Sequence, residues 1–349
     1  MITSAVSIGV LVPLSRPGWV EAGEQLLAGL ELGVRDVNEA GGIGGTPLEL
    51  VIRDTAADPQ RAAEAVDELT ALGVAALAGE YHSVVARAAA DRADALGVPF
   101  LCSSAVLDEL TEVPTNWVAR LPPPQSRGWQ AYADFLLDVG HRYVAVVRQP
   151  SVYWDSGTRI LRKHFAAHGG SVVDLSLTTV AELCDDLAET GATALLLLVG
   201  HPDPAVPIVR AVRSDRRLSE LLIGAPAGQP ELASWAAALG DDGAGIPFLR
   251  YLPSRLTAVG VRVEAALREQ FGAEPSFVAF EGYDTIAVLA EILRTPSDWS
   301  SVSVTGTRGD IGFSRTPGVS VWQWAGAPIQ VVDRDPADTG RFRVRYAVS

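Results

Sequence analysis

Short apolar runs alternate with amphipathic segments along this chain, and they do so in two successive series. Val6–Val12 is an apolar run of strand length, after which Ala22, Leu26, Leu30, Val34 and Val37 recur at helical spacing up to Gly41-Gly42. A second strand follows at 48–52. Asp58-Pro59 then reads as a helix start, with Asp as N-cap and Pro at the first helical position. Strand 74–78, helix 83–96 and strand 98–102 complete the first series. The rhythm restarts after Arg120-Leu-Pro-Pro-Pro-Gln125, with strands predicted at 143–148, 171–177, 193–199 and 220–224. Helices alternate with them at 126–139, 156–167, 180–190, 204–213 and near 230–238. Such alternation predicts parallel sheets covered by helices on both faces. Two series predict an α/β chain of two doubly wound lobes.

The last hundred residues break the pattern. Two helices are predicted, 254–271 and 276–293, followed by a turn-rich tail with Gly306, Gly309, Gly312 and Gly318 among short strands. These pieces cannot easily make a third core, so they are expected to complete the first two. Lobe 1 is then 1–120 plus about 254–310, and lobe 2 is 125–248 plus about 320–349. The chain would cross between them near 121–125, 249–253 and 310–320. A multi-crossover hinge between α/β lobes places a ligand cleft at the carboxyl ends of the strands.

Charge and composition narrow the function classes. Of 349 residues, 28 are Lys or Arg and 42 are Asp or Glu, a formal charge of −14 that opposes phosphate-backbone binding. No basic patch offsets it, so no nucleic-acid partner is expected. Lys163 is the single lysine, which removes a GK[ST] phosphate loop and leaves one unpromising candidate for Schiff-base chemistry. Cys102 and Cys184 lack a second Cys at metal-ligand spacing and read as buried thiols. The opening residues carry no basic segment and no long apolar run, so they do not read as a signal peptide. No segment reaches membrane-spanning length, so direct membrane insertion is not expected. The expected location is the cytoplasm if the chain is complete as written, and outside it if a signal segment was removed.

Catalytic and metal readings find little support. Gly41-Gly-Ile-Gly-Gly45 follows a helix and precedes a strand, the reverse of a dinucleotide fingerprint, and reads as a helix-ending turn. His164 and His168 stand at i, i+4 without the glutamate of a zinc-protease helix or an evident third ligand. Ser103, Ser104, His82, His201 and Asp155 all follow strands, but no G-x-S-x-G elbow accompanies them. The expectation is a protein that is not an enzyme, with no catalytic residue, no metal and no cofactor.

Several segments together resemble a known family. Ser7-Ile-Gly-Val-Leu-Val-Pro-Leu-Ser15, Asn38-Glu-Ala-Gly-Gly-Ile-Gly-Gly45, Gly79-Glu-Tyr-His-Ser83, Gly97-Val-Pro99 and Phe280-Glu-Gly-Tyr-Asp284 resemble the type I periplasmic-binding-protein fold. The closest group is the branched-chain amino acid and amide receptors. The resemblance implies a Venus-flytrap receptor that closes on a small polar ligand. Its partner would be an ABC-type membrane permease or, alternatively, a regulatory protein that reads it as a cytoplasmic amide sensor.

The same resemblance distributes the binding roles. Tyr81, His82 and Ser83 occupy the loop that supplies a hydroxyl and backbone amides to a carboxylate or amide oxygen. Ser103, Ser104 and Val106 occupy the second loop, where amino-acid binders usually carry a Thr at the position of Val106. From the second lobe, Trp154 with Tyr153, His201 and Ala227 would cover the ligand, joined by Tyr283 from the hinge side. Trp19 and Arg16 are added from the first loop, Arg16 as a partner for an anion. The loop Gly224-Ala-Pro-Ala-Gly228 lacks the acid that neutralises an ammonium in amino-acid-binding relatives. Unless Asp155 or Glu80 supplies that charge, an amide or carboxylate is the better expectation than an α-amino acid.

Overall fold

A computed structural model describes residues 5–295 and 298–348. The first four residues, on which the reading of the amino terminus partly rests, lie outside that range. The chain divides into two compact units, residues 1–124 with 251–328 and residues 125–250 with 329–349.

The first unit opens with β1 (Val6–Val12), α1 (Val20–Glu39), β2 (Leu48–Asp54), α2 (Pro59–Ala71), β3 (Ala76–Gly79), α3 (Ser83–Leu96) and β4 (Phe100–Cys102). Buried β-branched and leucyl side chains make β1 a central strand, paired in parallel with β2 and β3. Asp58 caps α2 by accepting from the Gln60 and Arg61 amides, with Pro59 next to it. A strand absent from the sequence reading, β5 (Val118–Arg120), extends the sheet beside β4. Three residues between irregular segments carry no detectable period, which is why it was not legible.

The second unit carries α4 (Gln125–Asp138), β6 (Tyr143–Arg148), α5 (Val152–Ala167), β7 (Ser171–Leu175), α6 (Val180–Thr190), β8 (Ala194–Leu198), α7 (Ala205–Ser214), β9 (Leu222–Gly224), α8 (Ala233–Leu239) and β10 (Phe248–Arg250). Its parallel sheet runs β7-β6-β8-β9. The wholly apolar β8, Ala-Leu-Leu-Leu-Leu, is buried along its full length, as a strand covered on both faces must be.

The chain then returns to the first unit with α9 (Ala258–Phe271), α10 (Phe277–Arg294), β11 (Val304–Thr305), β12 (Asp310–Ile311), β13 (Phe313–Arg315) and β14 (Trp322–Trp324). Thr257 caps α9 through the Gly260 amide, so this helix starts later than the expected 254. Strand β14 pairs in parallel with β5, giving a seven-stranded sheet of order β13-β14-β5-β4-β3-β1-β2. That pairing moves the final crossing from the expected 310–320 to the Pro328–Ile329 boundary. Strands β15 (Gln330–Asp335) and β16 (Asp338–Ala347) belong to the second unit, in an antiparallel sheet with β10.

Candidate functional site

Three loops meet at the carboxyl edge of the seven-stranded sheet in the first unit. The loop after β1 carries Arg16 and Trp19, that after β3 carries Glu80, Tyr81 and His82, and that after β4 carries residues 103–107. The Trp19 amide donates to His82 Nε2 at 3.0 Å. The Trp19 and Tyr81 rings meet edge to face with centroids 5.8 Å apart, and Tyr81 and His82 do the same at 5.3 Å. Trp19, Tyr81 and His82 thus form one cluster. Arg16 is exposed beside it and makes no ion pair among the described residues. His82 is the N-cap of α3 by position, yet its side chain makes no capping bond, and Val84 in the first turn is 39% exposed. First-turn amides have no partner inside a helix, so this terminus can receive an anion or a carbonyl oxygen.

The second loop is fastened residue by residue. The Ser103 amide donates to Gly79 O and the Ala105 amide to Glu80 O. Ser103 Oγ accepts from the Gly79 amide and from the Thr285 hydroxyl, both at 3.0 Å. Ser83 Oγ accepts from the Val106 and Leu107 amides at 3.3 Å each. The Val106 and Leu107 carbonyls accept from the fully buried Arg120 guanidinium, itself anchored on Gln323. The hydroxyls of Ser83 and Ser103, expected to face a ligand, are therefore spent on holding the loop in place. Ser104 differs. Neither its amide nor its hydroxyl has a hydrogen-bond partner of good geometry among the described residues, although the side chain is buried beside Glu281.

Electrostatically this edge is close to neutral. Burial pushes the Glu80 carboxyl up to about 8, against the pull of hydrogen bonds from the Thr55 hydroxyl and the His82 and Tyr81 amides. Burial also depresses His82 to about 4, so its imidazole is neutral at physiological pH. Asp54 is also buried in part, which raises it. The Ser15 hydroxyl and the Ala56 and Leu14 amides outweigh that effect and hold it below its ordinary value. Thr55 and Glu281 adjoin the edge but were not singled out in the sequence. The usable signal for Glu281 was an acid in the otherwise apolar first turns of α10.

Tyr283 departs from its expected role. Its hydroxyl donates to Asp36 at 2.7 Å and accepts from Arg262 at 2.9 Å. Asp36 lies about 24 Å along α1 from the helix start at ~1.5 Å per residue, remote from the loop that follows β1. Residue 283 is a side-chain bridge between helices, and it leaves the list of candidate ligand contacts.

In the second unit, Tyr153 and Trp154 lie in the first turn of α5, which Ser151 caps through the Trp154 amide. Their rings are 4.8 Å apart and both pack on the buried Trp129. The His201 ring tilts against Trp235 at 5.2 Å. Ala227 is partly exposed in the loop after β9, where the Gln229 side chain donates to Val199 O. The acids near these residues are engaged: Asp155 is paired with Arg148, and the buried Glu231 with Arg250 at 3.0 Å.

None of this assembles a nucleophile. Ser103 Oγ is held by Gly79 and Thr285, and no hydrogen bond joins Ser103 or Ser104 to His82 among the described residues. His164 bonds Asp134 at 2.6 Å and stacks on His168, and the described residues contain no metal-binding group of three or more His, Cys, Asp or Glu. No described helix is long and apolar enough to cross a membrane.

Comparison with known proteins places the fold. The leucine binding protein LivK of Thermotoga maritima superposes with a TM-score of 0.83 at 21% identity, covering 99% of each chain. A Rhodopseudomonas palustris solute binding protein in complex with benzoate gives 0.80 at 19% identity, covering 99% of this chain and 98% of that one. In sequence, Leu/Ile/Val-binding protein homolog 8 of Brucella abortus is 33% identical over 132 residues. That match spans 38% of this chain and about a third of the curated relative, 32% of its length. The periplasmic binding protein family profile matches residues 5–308. On that match, which runs through most of its length, the chain belongs to the periplasmic binding protein family.

Proposed function

We propose that the chain is a non-enzymatic receptor for a small molecule with a carboxylate or amide head and no ammonium, serving an ABC-type uptake system. The observation that carries this reading is the uncapped start of α3 beside a neutral imidazole and a carboxyl pushed up to about 8. Amides without a competing cap favour an oxygen ligand, and a buried ammonium there would lack a charged partner. Asp54, Asp155 and Glu231 are already committed to partners within their own units. The Trp19 and Tyr81 rings offer an apolar wall for an aromatic or branched body. Family membership supports the transport role, and the benzoate complex of the R. palustris protein supports an aromatic acid as one member of the class.

Titration calorimetry and thermal shift with benzoate, benzamide, leucine and isoleucine test the reading. A carboxylate or amide at a hundredfold its Kd should stabilise the protein by ~2.7 kcal/mol, with no shift from the amino acids. Binding of leucine or isoleucine with no response to benzoate or benzamide would overturn it.

A further inference from the structure

The loop after β4 backs onto a buried ionic cluster. Glu281 and Asp284 of α10 flank Arg308, with Arg308 NH1 3.2 Å from Glu281 Oε1 and Arg308 Nε 2.8 Å from Asp284 Oδ2. All three side chains are inaccessible to solvent. Asp284 is fully satisfied, because its second oxygen accepts from the Thr307 amide at 2.6 Å. Glu281 is held less well: among the described residues neither its Oε2 nor Ser104 Oγ has a hydrogen bond of good geometry, although the Ser104 hydroxyl lies near enough to stabilise the Glu281 carboxylate. Arg308 NH2 and Thr307 Oγ1 of the same cluster also have no partner of good geometry among the described residues, so the polar groups around Glu281 are not locked into one arrangement and its contact with Ser104 is free to be remade. Within residues 103–107, Ser104 is the one residue whose donors the scaffold does not consume.

Resting on the reading of this edge as a carboxylate or amide site, we propose that Glu281 is a specificity-determining positioning residue whose protonation gates the Ser104 hydroxyl. When Glu281 is ionised, the hydroxyl turns inward and donates to Oε2. When Glu281 is neutral, that acceptor is lost, and a rotation about χ1 frees the hydroxyl to donate to a ligand oxygen. A ligand oxygen that takes the Ser104 hydroxyl therefore draws a proton onto Glu281, and a carboxylate, which also repels the ionised form, draws it more fully than a neutral amide.

The surroundings allow this exchange. Facing Glu281 are Arg308 from the turn after β11, Asp284 on its own helix, Ser104 from the loop, and the Cys102 thiol of β4, which also feels Glu80 and Arg120. Burial raises Glu281 to about 7, while Arg308 and Ser104 pull it down. The group can thus change state near neutrality.

The test is calorimetry with benzoate and benzamide from pH 6 to pH 8, in buffers of different ionisation enthalpy, on wild type, Glu281→Gln, Ser104→Ala and Glu80→Gln. Wild type should take up a proton with benzoate above pH 7 and lose up to about tenfold in affinity per pH unit there. Benzamide, which lacks the charge repulsion, should take up a smaller fraction of a proton than benzoate under the same conditions. Glu281→Gln should abolish both the uptake and the slope; Ser104→Ala, which leaves the Glu281–Arg308 pair intact, should weaken benzoate and flatten the slope. Glu80→Gln should keep the slope around pH 7, below the range in which Glu80 itself loses its proton. Benzoate binding without proton uptake, or a slope lost in Glu80→Gln and kept in Glu281→Gln, overturns the inference while the proposed function stands. Failure of both ligands to bind wild type overturns both.

Discussion

Glu80 and His82 are two residues apart and are shifted by the same cause in ways that oppose each other in solution. Burial raises the carboxyl to about 8 and lowers the imidazole to about 4. Between roughly pH 4.5 and 8 the native state holds a proton on Glu80 that the unfolded chain releases, so this residue makes stability fall as pH rises. Between about 4 and 6.5 His82 acts the other way, because there the unfolded chain binds the extra proton. From pH 6.5 to 8 His82 no longer contributes, and Glu80 dominates, joined up to about pH 7 by Glu281. Thermal melting should show wild type losing at most about 1.4 kcal/mol per pH unit from pH 7 to 8, and up to about twice that between pH 6.5 and 7, where both groups hold a proton the unfolded chain lacks. Glu80→Gln keeps a side chain able to bond Thr55 and the His82 amide without titrating. Its loss should be clearly smaller, and an equal slope in the two proteins would remove Glu80 as the cause. The sequence brought Glu80 into consideration as a possible counter-charge. Its neutrality depends on Thr55 and on complete burial, which no local pattern encodes.

At the scale of elements, the most exacting contact in the first unit is between α1 and α10. Gly29 and Gly33 face Ala279 and Ile286, while Gly282 faces Leu26. A Cβ on Gly29 would lie 1.9 Å from the Ala279 carbonyl oxygen, which is backbone and cannot swing away. Gly29→Ala should therefore cost about 1–3 kcal/mol despite alanine's better helix propensity, measured as a shift in the urea midpoint at unchanged m-value. No loss of stability would show that the helices separate more easily than their packing implies. Both helices were legible from spacing alone, as were the strands of β1, β6 and β8, because long periodic or wholly apolar runs survive tertiary context. Their partnership was not, since Gly29 and Gly282 are 253 positions apart and a small residue on a helix face announces a close neighbour without naming it. The loops of the candidate edge divide in the same way. Strand ends located His82 and Ser104 and the family resemblance added Tyr81, but only the fold reveals that Ser83 and Ser103 are spent on the scaffold and that Tyr283 belongs to Asp36.

At the scale of the molecule, the second unit depends on residues far from its own sheet in sequence. Residues 125–250 contain all its described helices, yet β10 finds its antiparallel partner in β15, which follows an excursion of 78 residues through the first unit. The return is tightly integrated. Arg334 donates from Nε to Pro230 O and from NH2 to Glu231 O, and its guanidinium lies 4.7 Å from the Phe342 ring centroid. The fully buried Asp333 is matched by Arg343 and Arg345. A chain ending at Pro328 would leave Phe248 and Leu249 uncovered on one side and the Pro230 and Glu231 carbonyls without their donor. Losing several such bonds together with a strand pairing exceeds the margin by which a domain of this size is stable. The truncated chain should accordingly retain a folded first unit while the second loses protection across β6, β8 and β9, as read by amide hydrogen exchange. Full protection of those strands in the truncated chain would mean that 125–250 folds independently, and the interleaving would then be a matter of connectivity alone.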